Sequence, residues 1–360
     1  MSDQLYIGVM SGTSMDGIDI ALCKIDSTKC ELVYFEEYPF DANLKREILE
    51  IIQGSTTLTQ VGTINKKLGL EFAYALTRFL REKELNAKDI TAIGLHGQTL
   101  WHEPDAEFPF SMQLGDASTV YAKTGIKTIY DFRSLDVALG GQGAPFAPAF
   151  HQFLFKSLKK SAVLNIGGMA NITLLEENLR GWDTGCGNVL LDMWISKCKN
   201  EKYDKDGSFA KSGEINRDLL NAMLNDEYFK KTPPKSTGRE YFNEVWLANL
   251  LPIFNVISDE DIQRTLLELT AQSIANDVKK SDIELLILCG GGAKNSFLRA
   301  RIEELSGTYV KTSDEIGIKG DALEAMAFAW LAYKRVHQKE VDLKSVTGAT
   351  KNALLGAIYG

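Results

Sequence analysis

The first forty residues contain three apolar runs, and each run stops at residues that favour turns. The runs read LYIGVMSG, IDIALCKID and ELVYFEEYPF. Short runs of this kind, rich in β-branched and aromatic residues, predict strands. The first two are joined by SGTSMDG and therefore predict a hairpin, whose turn carries more small and hydroxyl residues than a tight turn needs.

Helical and strand patterns then alternate along the chain. Apolar residues recur at helical spacing from Leu44 to Lys83, and a second long helix is predicted over about 259–280. Thr237 and Glu240 have capping-box spacing, which predicts a helix start. Buried strands are predicted within ITAIGLHGQTLWHE, IKTIYDFRS and IELLILCGGGAKN, and a helix within DALEAMAFAWLAYKRV. This alternation indicates an α/β protein.

The opening pattern returns in the second half of the chain. SAVLNIGGMANITLLEEN, residues 161–178, again predicts strand, small-residue turn and strand, with Gly168 in the place of Gly12. The two halves are therefore predicted to be a duplicated unit. LGGQGAPFAPAF, residues 139–150, breaks regular structure. We expect an N-terminal domain over 1–138 and a C-terminal domain over 139–360, with a tail that could pack back on the first.

Composition and charge narrow the class of protein. A chain of 360 residues with a net charge of −8 suits two domains and has no basic excess for a nucleic-acid partner. Its five cysteines are scattered without a C-x-x-C pair, which is typical of reduced thiols in a cytoplasm. We see neither a run of roughly 20 apolar residues nor a signal-peptide pattern. A cytoplasmic protein without a membrane partner is expected.

Five loops of small residues predict a nucleotide site. They are SGTSMDG, GLHGQT, NIGGMAN, DTGCGN and CGGGAKN. Glycine lets backbone N–H groups approach a ligand closely, and such groups bind phosphate well at turns and helix N-termini. The chain has no Gly-Lys pair and no G-x-G-x-x-G, so the standard P-loop and dinucleotide motifs are excluded.

Two acidic residues lie around the DTGCGN loop. Asp183 is expected to end a strand ahead of a helix that begins near Asn188, where a carboxylate could act as a general base. The alternative is a turn residue without function. Asp192, in the helix that follows, is expected to face solvent or to form a helix salt bridge.

Four further polar residues are candidates for a site, and three of them have two possible interpretations. Asp16 is a Mg²⁺ ligand or a turn aspartate, and Glu324 occupies an exposed helix position or is aimed at a site. His96 is interpreted as a hydrogen-bond donor to a polar ligand, because its spacing to His102 does not suit a metal pair. Arg133 clamps a carboxylate or forms a surface salt bridge.

The motifs together resemble a known family. VMSGTSMDGID, GLHGQT, DFRS, GGQGAP, NIGGMANIT, WDTGCGN, PPKSTGREYF, CGGGAKN and DALEAMAFAWLA occur in the order found in the anhydro-N-acetylmuramic acid kinases of peptidoglycan recycling. The resemblance implies a two-domain, actin-like ATPase fold, a duplicated ribonuclease H-like α/β fold with a central interdomain cleft. It also implies ATP, Mg²⁺ and a homodimer. In that family, water opens the 1,6-anhydro ring while the sixth-position oxygen receives the γ-phosphoryl group, giving N-acetylmuramic acid 6-phosphate and ADP.

The resemblance also assigns residues by position. Asp183 would be the base that activates water, and Asp16 and Glu324 are the metal candidates. One departure is Cys186, where many relatives have proline. The ATP contacts would be Gly12, Thr13, Ser14, Met15, Asp16, Gly17, Ile18, Asp19, Gly167, Gly168, Asn171, Gly290, Gly291, Gly292, Asn295 and Glu324. The sugar contacts would be His96, Gln98, Thr99, Arg133, Asp183 and Asn188.

Two alternatives from other classes remain open. An anhydrosugar hydrolase would use two carboxylates without ATP, but it leaves both hairpins and CGGGAKN without a role. An actin-like ATP-binding switch protein would turn over no sugar, and it leaves HGQT and DFRS without a purpose. Turnover of the sugar that depends on ATP would distinguish a kinase from the hydrolase. ATP consumption that depends on the sugar would distinguish a kinase from the switch protein.

Overall fold

The structure is a computed structural model that describes residues 4–12, 15, 17–54, 56–176, 179–233, 235–254 and 256–360. The chain divides into two compact units. The first contains Met1–Leu154 and Ala322–Gly360, and the second contains Phe155–Asp321. No described helix is both long enough and apolar enough to span a membrane.

The first unit is built on a six-stranded sheet with helices around it. The strands of this part of the chain are β1 (Gln4–Met10), β2 (Gly17–Ile25), β3 (Cys30–Pro39), β4 (Ile90–Leu95), β5 (Gln98–Glu103), β6 (Phe110–Leu114) and β7 (Thr128–Tyr130). β5 and β6 form a separate two-stranded sheet, and the sixth strand of the large sheet comes from the C-terminal segment. Its first helices are α1 (Ala42–Gln53), α2 (Leu58–Glu82), α3 (Ala117–Thr124), α4 (Ser134–Ala138) and α5 (Ala147–Leu154). The N-cap of α2 is Thr57, which forms a capping box with Gln60.

The second unit follows without interruption. Its strands are β8 (Ser161–Ile166), β9 (Met169–Leu174), β10 (Arg180–Cys186), β11 (Leu285–Cys289) and β12 (Tyr309–Thr312). Its helices are α6 (Val189–Lys199), α7 (Ser208–Ser212), α8 (Arg217–Leu224), α9 (Glu227–Lys230), α10 (Glu244–Leu250), α11 (Asp259–Val278) and α12 (Ser296–Ser306). The chain then returns to the first unit through α13 (Leu323–Val336), α14 (Lys344–Thr347) and β13 (Ala357–Tyr359). The structure also contains short 3₁₀ segments.

The two sheets share one strand order. In the first, β1 is antiparallel to β2, β2 is antiparallel to β3, and β1 and β4 run parallel, as do β4 and β7. In the second, β8 is antiparallel to β9, β9 is antiparallel to β10, and β8, β11 and β12 run parallel. The order is β7-β4-β1-β2-β3 in one and β12-β11-β8-β9-β10 in the other. The predicted duplication, each half opening with a hairpin, is confirmed.

Helix α13 lies against the first sheet at two glycines. A Cβ added to Gly8 would lie 1.8 Å from the carbonyl oxygen of Ala325. A Cβ added to Gly94 would lie 2.0 Å from the carbonyl oxygen of Phe328. Since a real Cβ cannot approach an oxygen so closely, the backbones of β1, β4 and α13 can meet only where the strands carry glycine.

The domain boundary differs from the expected one. Residues 139–150 break regular structure as predicted, but the chain does not leave the first unit there. Asp136 accepts hydrogen bonds from the Gly143 N–H and the Thr347 hydroxyl, each at 2.8 Å, and the Gln142 N–H donates to the Thr347 carbonyl oxygen. These bonds fasten the glycine loop to the C-terminal segment. The division falls after Leu154, and the returning segment begins at Ala322 rather than at a short tail.

The predicted helix start at Thr237 is wrong. Helix α10 begins at Glu244, and its N-cap is Asn243, whose side chain accepts a hydrogen bond from the Trp246 N–H. The Thr237 N–H instead donates to a carboxylate oxygen of Asp183 at 3.0 Å. The spacing of Thr237 and Glu240 therefore reflects a loop that reaches Asp183, not a helix cap.

Candidate active site

Three parallel strands of the first unit end at the same edge of its sheet. β1 pairs with β4, and β4 pairs with β7. Ligands of open α/β sheets bind beyond the carboxyl ends of parallel strands. Gly12, His96 and Arg133 lie in the segments that follow these three strands. The topology therefore gathers the predicted SGTSMDG, HGQT and DFRS loops at one edge.

The first hairpin turn is anchored by apolar side chains. Met15 and Ile18, two of the predicted ATP contacts, are buried in the core of the first unit. Met15 has a left-handed φ of 50°, and its N–H donates to the Gly12 carbonyl oxygen at 3.1 Å. Only the backbones of Met15 and Ile18 remain for a ligand, because their side chains hold the turn to the core.

The rest of this turn is described in part. Gly17 begins β2, where a Cβ would lie 2.6 Å from Cγ of Glu37, and Asp19 is the cross-strand partner of Met10. The predicted contacts Thr13 and Ser14 and the predicted metal ligand Asp16 lie outside the described residues.

Gln98 connects two of the loops. The Ser11 hydroxyl donates to Gln98 Oε1 at 2.7 Å, and both side chains are buried. The Thr99 hydroxyl accepts from Gln113 Nε2 at 3.3 Å. Gln98, predicted to contact the sugar, therefore braces the HGQT loop against the end of β1.

Arg133 is a half-buried cation with unused hydrogen-bonding capacity. Its Nη1 donates to the Gly143 carbonyl oxygen at 2.7 Å and its Nη2 to His96 Nε2 at 2.9 Å, whereas its Nε has no partner among the described residues. Burial lowers the pKa of Arg133 to about 10, while the carboxyl groups of Glu324 and Asp136 raise it. The described partners of the guanidinium are a carbonyl oxygen and an imidazole, so the alternative of a surface salt bridge is not observed.

His96 is buried beside this guanidinium. Because a guanidinium can only donate, His96 Nε2 is the acceptor and the ring proton is on Nδ1. Burial, together with the charge of Arg133, lowers the pKa of His96 to about 3, so the ring is neutral. Backbone groups of Gly97 and Ser11 oppose this pKa shift, but within the described chain none reaches Nδ1 with hydrogen-bond geometry. A cavity of about 350 Å³ opens beside His96.

Glu324 lies in the first turn of α13, near Arg133. The residue is exposed, yet the protein around its carboxyl group removes enough water to raise its pKa, and the charge of Arg133 lowers it. Glu324 therefore balances the charge of Arg133 and belongs with His96 and Arg133. Its assignment to ATP or to a metal stays a prediction. The described residues contain no cluster of three metal-ligating side chains.

In the second unit, three polar side chains form a row across the sheet. Asn171 of β9 is the cross-strand partner of both Asn165 of β8 and Asp183 of β10. Direct antiparallel partners have Cβ atoms about 4.5–5.5 Å apart on one face. The register therefore places two predicted residues, Asn171 and Asp183, side by side, and adds Asn165, which the sequence analysis missed.

Asp183 lies within β10 rather than at its end. The strand continues to Cys186 and contains an extra residue between Asp183 and Gly185, which is a β-bulge of the kind found near active sites. The Asp183 N–H donates to the Lys235 carbonyl oxygen at 3.0 Å instead of to β9. The Tyr228 hydroxyl donates to the Asp183 carbonyl oxygen at 2.7 Å. Asp183 is thus held by groups outside its own sheet.

The Asp183 carboxyl group is suited to proton transfer. Its Oδ2 accepts the Thr237 N–H at 3.0 Å. Burial raises the pKa of Asp183 to about 6; the Thr237 hydrogen bond and the Lys235 cation lower it, and Glu240 raises it. A carboxylate that titrates this close to neutrality can both accept and release a proton. The Thr237 hydroxyl, next to it, is buried and has no partner in the described part of the chain.

The second hairpin turn is tied to helix α6. The N–H groups of Gly187 and Val189 donate to the Gly168 carbonyl oxygen, and the Asn188 N–H donates to that of Gly167. Val189 is the first residue of α6, so the hairpin satisfies the first N–H group of the helix together with those of the two residues before it.

The CGGGAKN loop packs against the same hairpin. Gly290 has φ 79°, and a Cβ there would lie 2.4 Å from Asn165 Oδ1; a Cβ on Gly292 would lie 2.3 Å from Ile166 Cγ2. The Asn188 side chain donates to the Ile166 carbonyl oxygen at 3.3 Å and lies beside Gly291 and Gly292. Asn188, predicted as a sugar contact, therefore has its side chain next to the CGGGAKN loop.

The side chain of Asn295 has a structural partner. It caps helix α12 by accepting the Leu298 N–H at 3.0 Å.

The sequence analysis gave no role to Arg239, which reaches the second hairpin. Its guanidinium lies about 3.5 Å from where a Cβ of Gly168 would be. It also faces Asp192: burial raises the pKa of that carboxyl group to about 6, and the Arg239 charge lowers it. Asp192 is half-buried, so it faces solvent only in part, and the cation near it belongs to a loop and not to its own helix. The only signal for Arg239 was its position in KSTGREYF.

Cys186, the departure from the family pattern, is the last residue of β10. It is fully buried, and burial raises the pKa of its thiol to about 12, so the thiol is protonated and unreactive. None of the five cysteines, all of which the structure describes, forms a disulfide bond.

Two copies of one strand order, each opening with a hairpin whose turn is rich in small residues, define the actin-like class of α/β proteins. A family model described as anhydro-N-acetylmuramic acid kinase matches residues 4–360. An anhydro-N-acetylmuramic acid kinase of Sulfurimonas denitrificans is 56% identical, with 99% of each chain covered. One from a Sulfurovum species is 55% identical and one from Mannheimia succiniciproducens is 47% identical, each over 100% of both chains. The chain belongs to the anhydro-N-acetylmuramic acid kinase family and is an enzyme of the phosphotransferase class.

Proposed function

We propose that the protein phosphorylates 1,6-anhydro-N-acetylmuramic acid with ATP while water opens the anhydro ring. Water oxygen bonds to the anomeric carbon, the bond from that carbon to the bridging oxygen breaks, and this sixth-position oxygen receives the γ-phosphoryl group. The products are N-acetylmuramic acid 6-phosphate and ADP. The observation that carries the proposal is Asp183, a carboxylate held by Thr237 with a pKa raised to about 6.

Asp183 is the base in this reaction. Its carboxylate takes the proton that the attacking water loses. Its position is fixed by the bonds that Tyr228 and Thr237 donate to it and by the bond that its own N–H donates to the Lys235 carbonyl oxygen. General base catalysis of this kind contributes about 10²–10⁴-fold to a rate. The Thr237 hydroxyl, buried without a described partner, is placed to orient the same water.

The small-residue loops hold the phosphates of ATP. Phosphoryl transfer depends on positioning and on neutralising charge, and the loop backbones and the Arg239 guanidinium supply donors for both. Mg²⁺ binds one or two carboxylates in addition to phosphate oxygens, which fits a site where Glu324 is described and Asp16 is the second candidate. When bound, Mg²⁺ neutralises charge on the phosphates.

Arg133 recognises the lactyl carboxylate of the sugar. It is a half-buried cation whose described bonds go to a carbonyl oxygen and to an imidazole, and its Nε has no described partner. Glu324 and Asp136 act on its charge without a described hydrogen bond to it, so it can still bind an anion directly. The reduced cysteines suit a cytoplasmic enzyme, and a homodimer is proposed from the family resemblance.

The function is tested with purified protein, Mg²⁺-ATP and 1,6-anhydro-N-acetylmuramic acid, with products identified by mass spectrometry. A hydrated and phosphorylated sugar is expected only when ATP is present. Ring opening without ATP would instead identify a hydrolase. ATP binding with unchanged sugar would identify a switch protein or another substrate.

The pH dependence of turnover is set by Asp183. The base must be ionised, and its pKa is raised to about 6, so kcat/KM should be constant above about pH 7 and fall tenfold per unit below pH 6. Rates measured from pH 4.5 to 8.5 check this. The pKa of Asp192 is raised to about the same value, so Asp192→Asn is the control. Its kcat/KM should still fall below pH 6. A rate that stays constant down to pH 4.5 would remove Asp183 as the base.

A further inference from the structure

The KSTG segment, residues 235–238, is joined to Asp183 by two hydrogen bonds. The Asp183 N–H donates to the Lys235 carbonyl oxygen, and the Thr237 N–H donates to the Asp183 carboxylate, both at 3.0 Å. The segment is a loop, and loops are mobile unless tied down. What fixes it therefore also fixes the catalytic carboxylate.

The side chain of Lys235 fixes this segment inside the protein. Lys235 Nζ lies 3.3 Å from Asp277 Oδ2, and each of these side chains is only 3% exposed. The same Oδ2 accepts the Trp182 indole N–H at 2.9 Å, and Lys235 Nζ lies 5.1 Å from the centre of the Tyr228 ring. Trp182 and Tyr228 are themselves adjacent or bonded to Asp183, so the network closes around that residue.

A buried ion pair of this kind is rarely retained for stability. The cost of removing two charges from water often exceeds their attraction, and well-packed apolar residues would stabilise the fold as well. A buried lysine that only filled space could be a leucine or a methionine. Stability alone is therefore a weak explanation of the pair, and its position next to the proposed base points to a second role.

We propose that Lys235 and Asp277 form a positioning pair for Asp183: the pair anchors residues 235–237 so that the Thr237 N–H meets the carboxylate, and the Lys235 charge favours its ionised form. This rests on the proposed function of Asp183. The charged and titratable groups that face Asp183 are Lys235 and Glu240 of the loop and Tyr228 of α9. Asp277 of α11 acts on Tyr228 and is neutralised by Lys235 and Lys280.

The test compares Lys235→Met/Asp277→Asn with Lys280→Met. The double variant removes both buried charges and leaves neither unpaired. Lys280 also binds Asp277, at 3.0 Å, but its side chain is 63% exposed and makes no bond to residues 235–237. Lys280→Met is therefore a matched control that takes a cation from the same carboxylate without touching the loop.

The first measurement is the titration of the Asp183 carboxyl carbon by NMR in each protein without ligands. The double variant should raise the pKa of Asp183 by about one unit, the lower end of the effect of a nearby opposite charge. Lys280→Met and the conservative Lys235→Arg should leave it unchanged. An unchanged Asp183 titration in the folded double variant, or an equal shift in Lys280→Met, would overturn the proposal.

The second measurement is kinetic. In the double variant kcat should fall about tenfold or more and the acidic limb of the rate should move to higher pH, while KM for ATP stays unchanged. A purely structural role would lower the melting temperature but leave the limb in place, which contradicts the proposal. Because the titration needs no turnover, a wild-type protein that does not phosphorylate the sugar would refute the proposed function and not the positioning pair.

A single isosteric variant covers the case in which the double variant does not fold. Asp277→Asn keeps the shape of the side chain and an acceptor for the Trp182 indole, and it weakens the pairing with Lys235 and with the exposed Lys280. The amide of Thr237 should then exchange with solvent about tenfold faster than in the wild type, and Lys280→Met should leave its exchange rate unchanged. Equal exchange rates in Asp277→Asn and wild type would count against the anchor.

Discussion

Asp183→Asn is expected to lose about 10³-fold in kcat, within the range of a lost general base, while it still binds ATP and the sugar. Asparagine has the same shape, and its side-chain oxygen can still accept the Thr237 N–H. It cannot accept the proton of the attacking water at neutral pH. Steady-state kinetics with a coupled ADP assay, together with calorimetry for both ligands, measures the two effects separately.

The stability of this variant provides its control. The pKa of Asp183 is raised from 3.8 to about 6 by burial, so the folded state binds the proton more tightly than the unfolded chain. Such a group favours folding below pH 3.8, and this contribution is lost as the pH rises through 6. A neutral isostere should therefore melt at a temperature equal to or above that of the wild type at pH 7. Wild-type turnover in the variant would end the assignment of Asp183 as base.

Gly8→Ala is expected to have the largest effect on stability. The new Cβ would lie 1.8 Å from the Ala325 carbonyl oxygen and 2.6 Å from the Ala329 nitrogen, so α13 must move away from β1. We expect a loss of about 3 kcal/mol, the upper end for overpacked cores, and a melting temperature lower by roughly 6–12 °C. Hydrogen exchange should rise selectively in β1, β4 and α13.

Gly62→Ala is the matched control for this substitution. Gly62 lies on the exposed side of α2, and no atom would lie within 4 Å of its new Cβ. Alanine at such a helical position should stabilise the protein by about 0.4–1 kcal/mol. If the melting temperature of Gly8→Ala equalled that of the wild type, the close contact of β1 with α13 would be contradicted.

The periodicity of apolar residues predicted most of the fold. The hairpin of β1 and β2, the long helices α2 and α11, and the repeat of the hairpin at β8 and β9 each have a local signal. The boundary at 138 was wrong because glycine and proline mark a break in regular structure, which here is a loop held by Asp136 and Thr347 within one unit. Such a bond between distant segments leaves no local pattern.

The site was predicted in its residue types more than in its geometry. Asp183 and Asn171 lie side by side because of the register between β9 and β10. The alternation of apolar and polar residues in these two strands indicates which face each side chain is on, but not which residues are cross-strand partners. The bulge after Asp183 and its bonds to Lys235 and Thr237 depend on a loop some fifty residues away. Met15 and Ile18 were assigned to ATP by motif alone, whereas their apolar side chains are buried in the core.

The return of the chain to the first unit has a consequence for synthesis on the ribosome. β1 and β4 are made early, but α13, which covers Gly8 and Gly94, and β13, which pairs with β7, are encoded after residue 321. The second unit, in contrast, is one continuous segment and can fold as soon as it emerges, since domains generally fold as units during synthesis. The first unit therefore begins before the second and is completed after it, and the part of its sheet that α13 covers stays exposed until residues 322–336 have been translated.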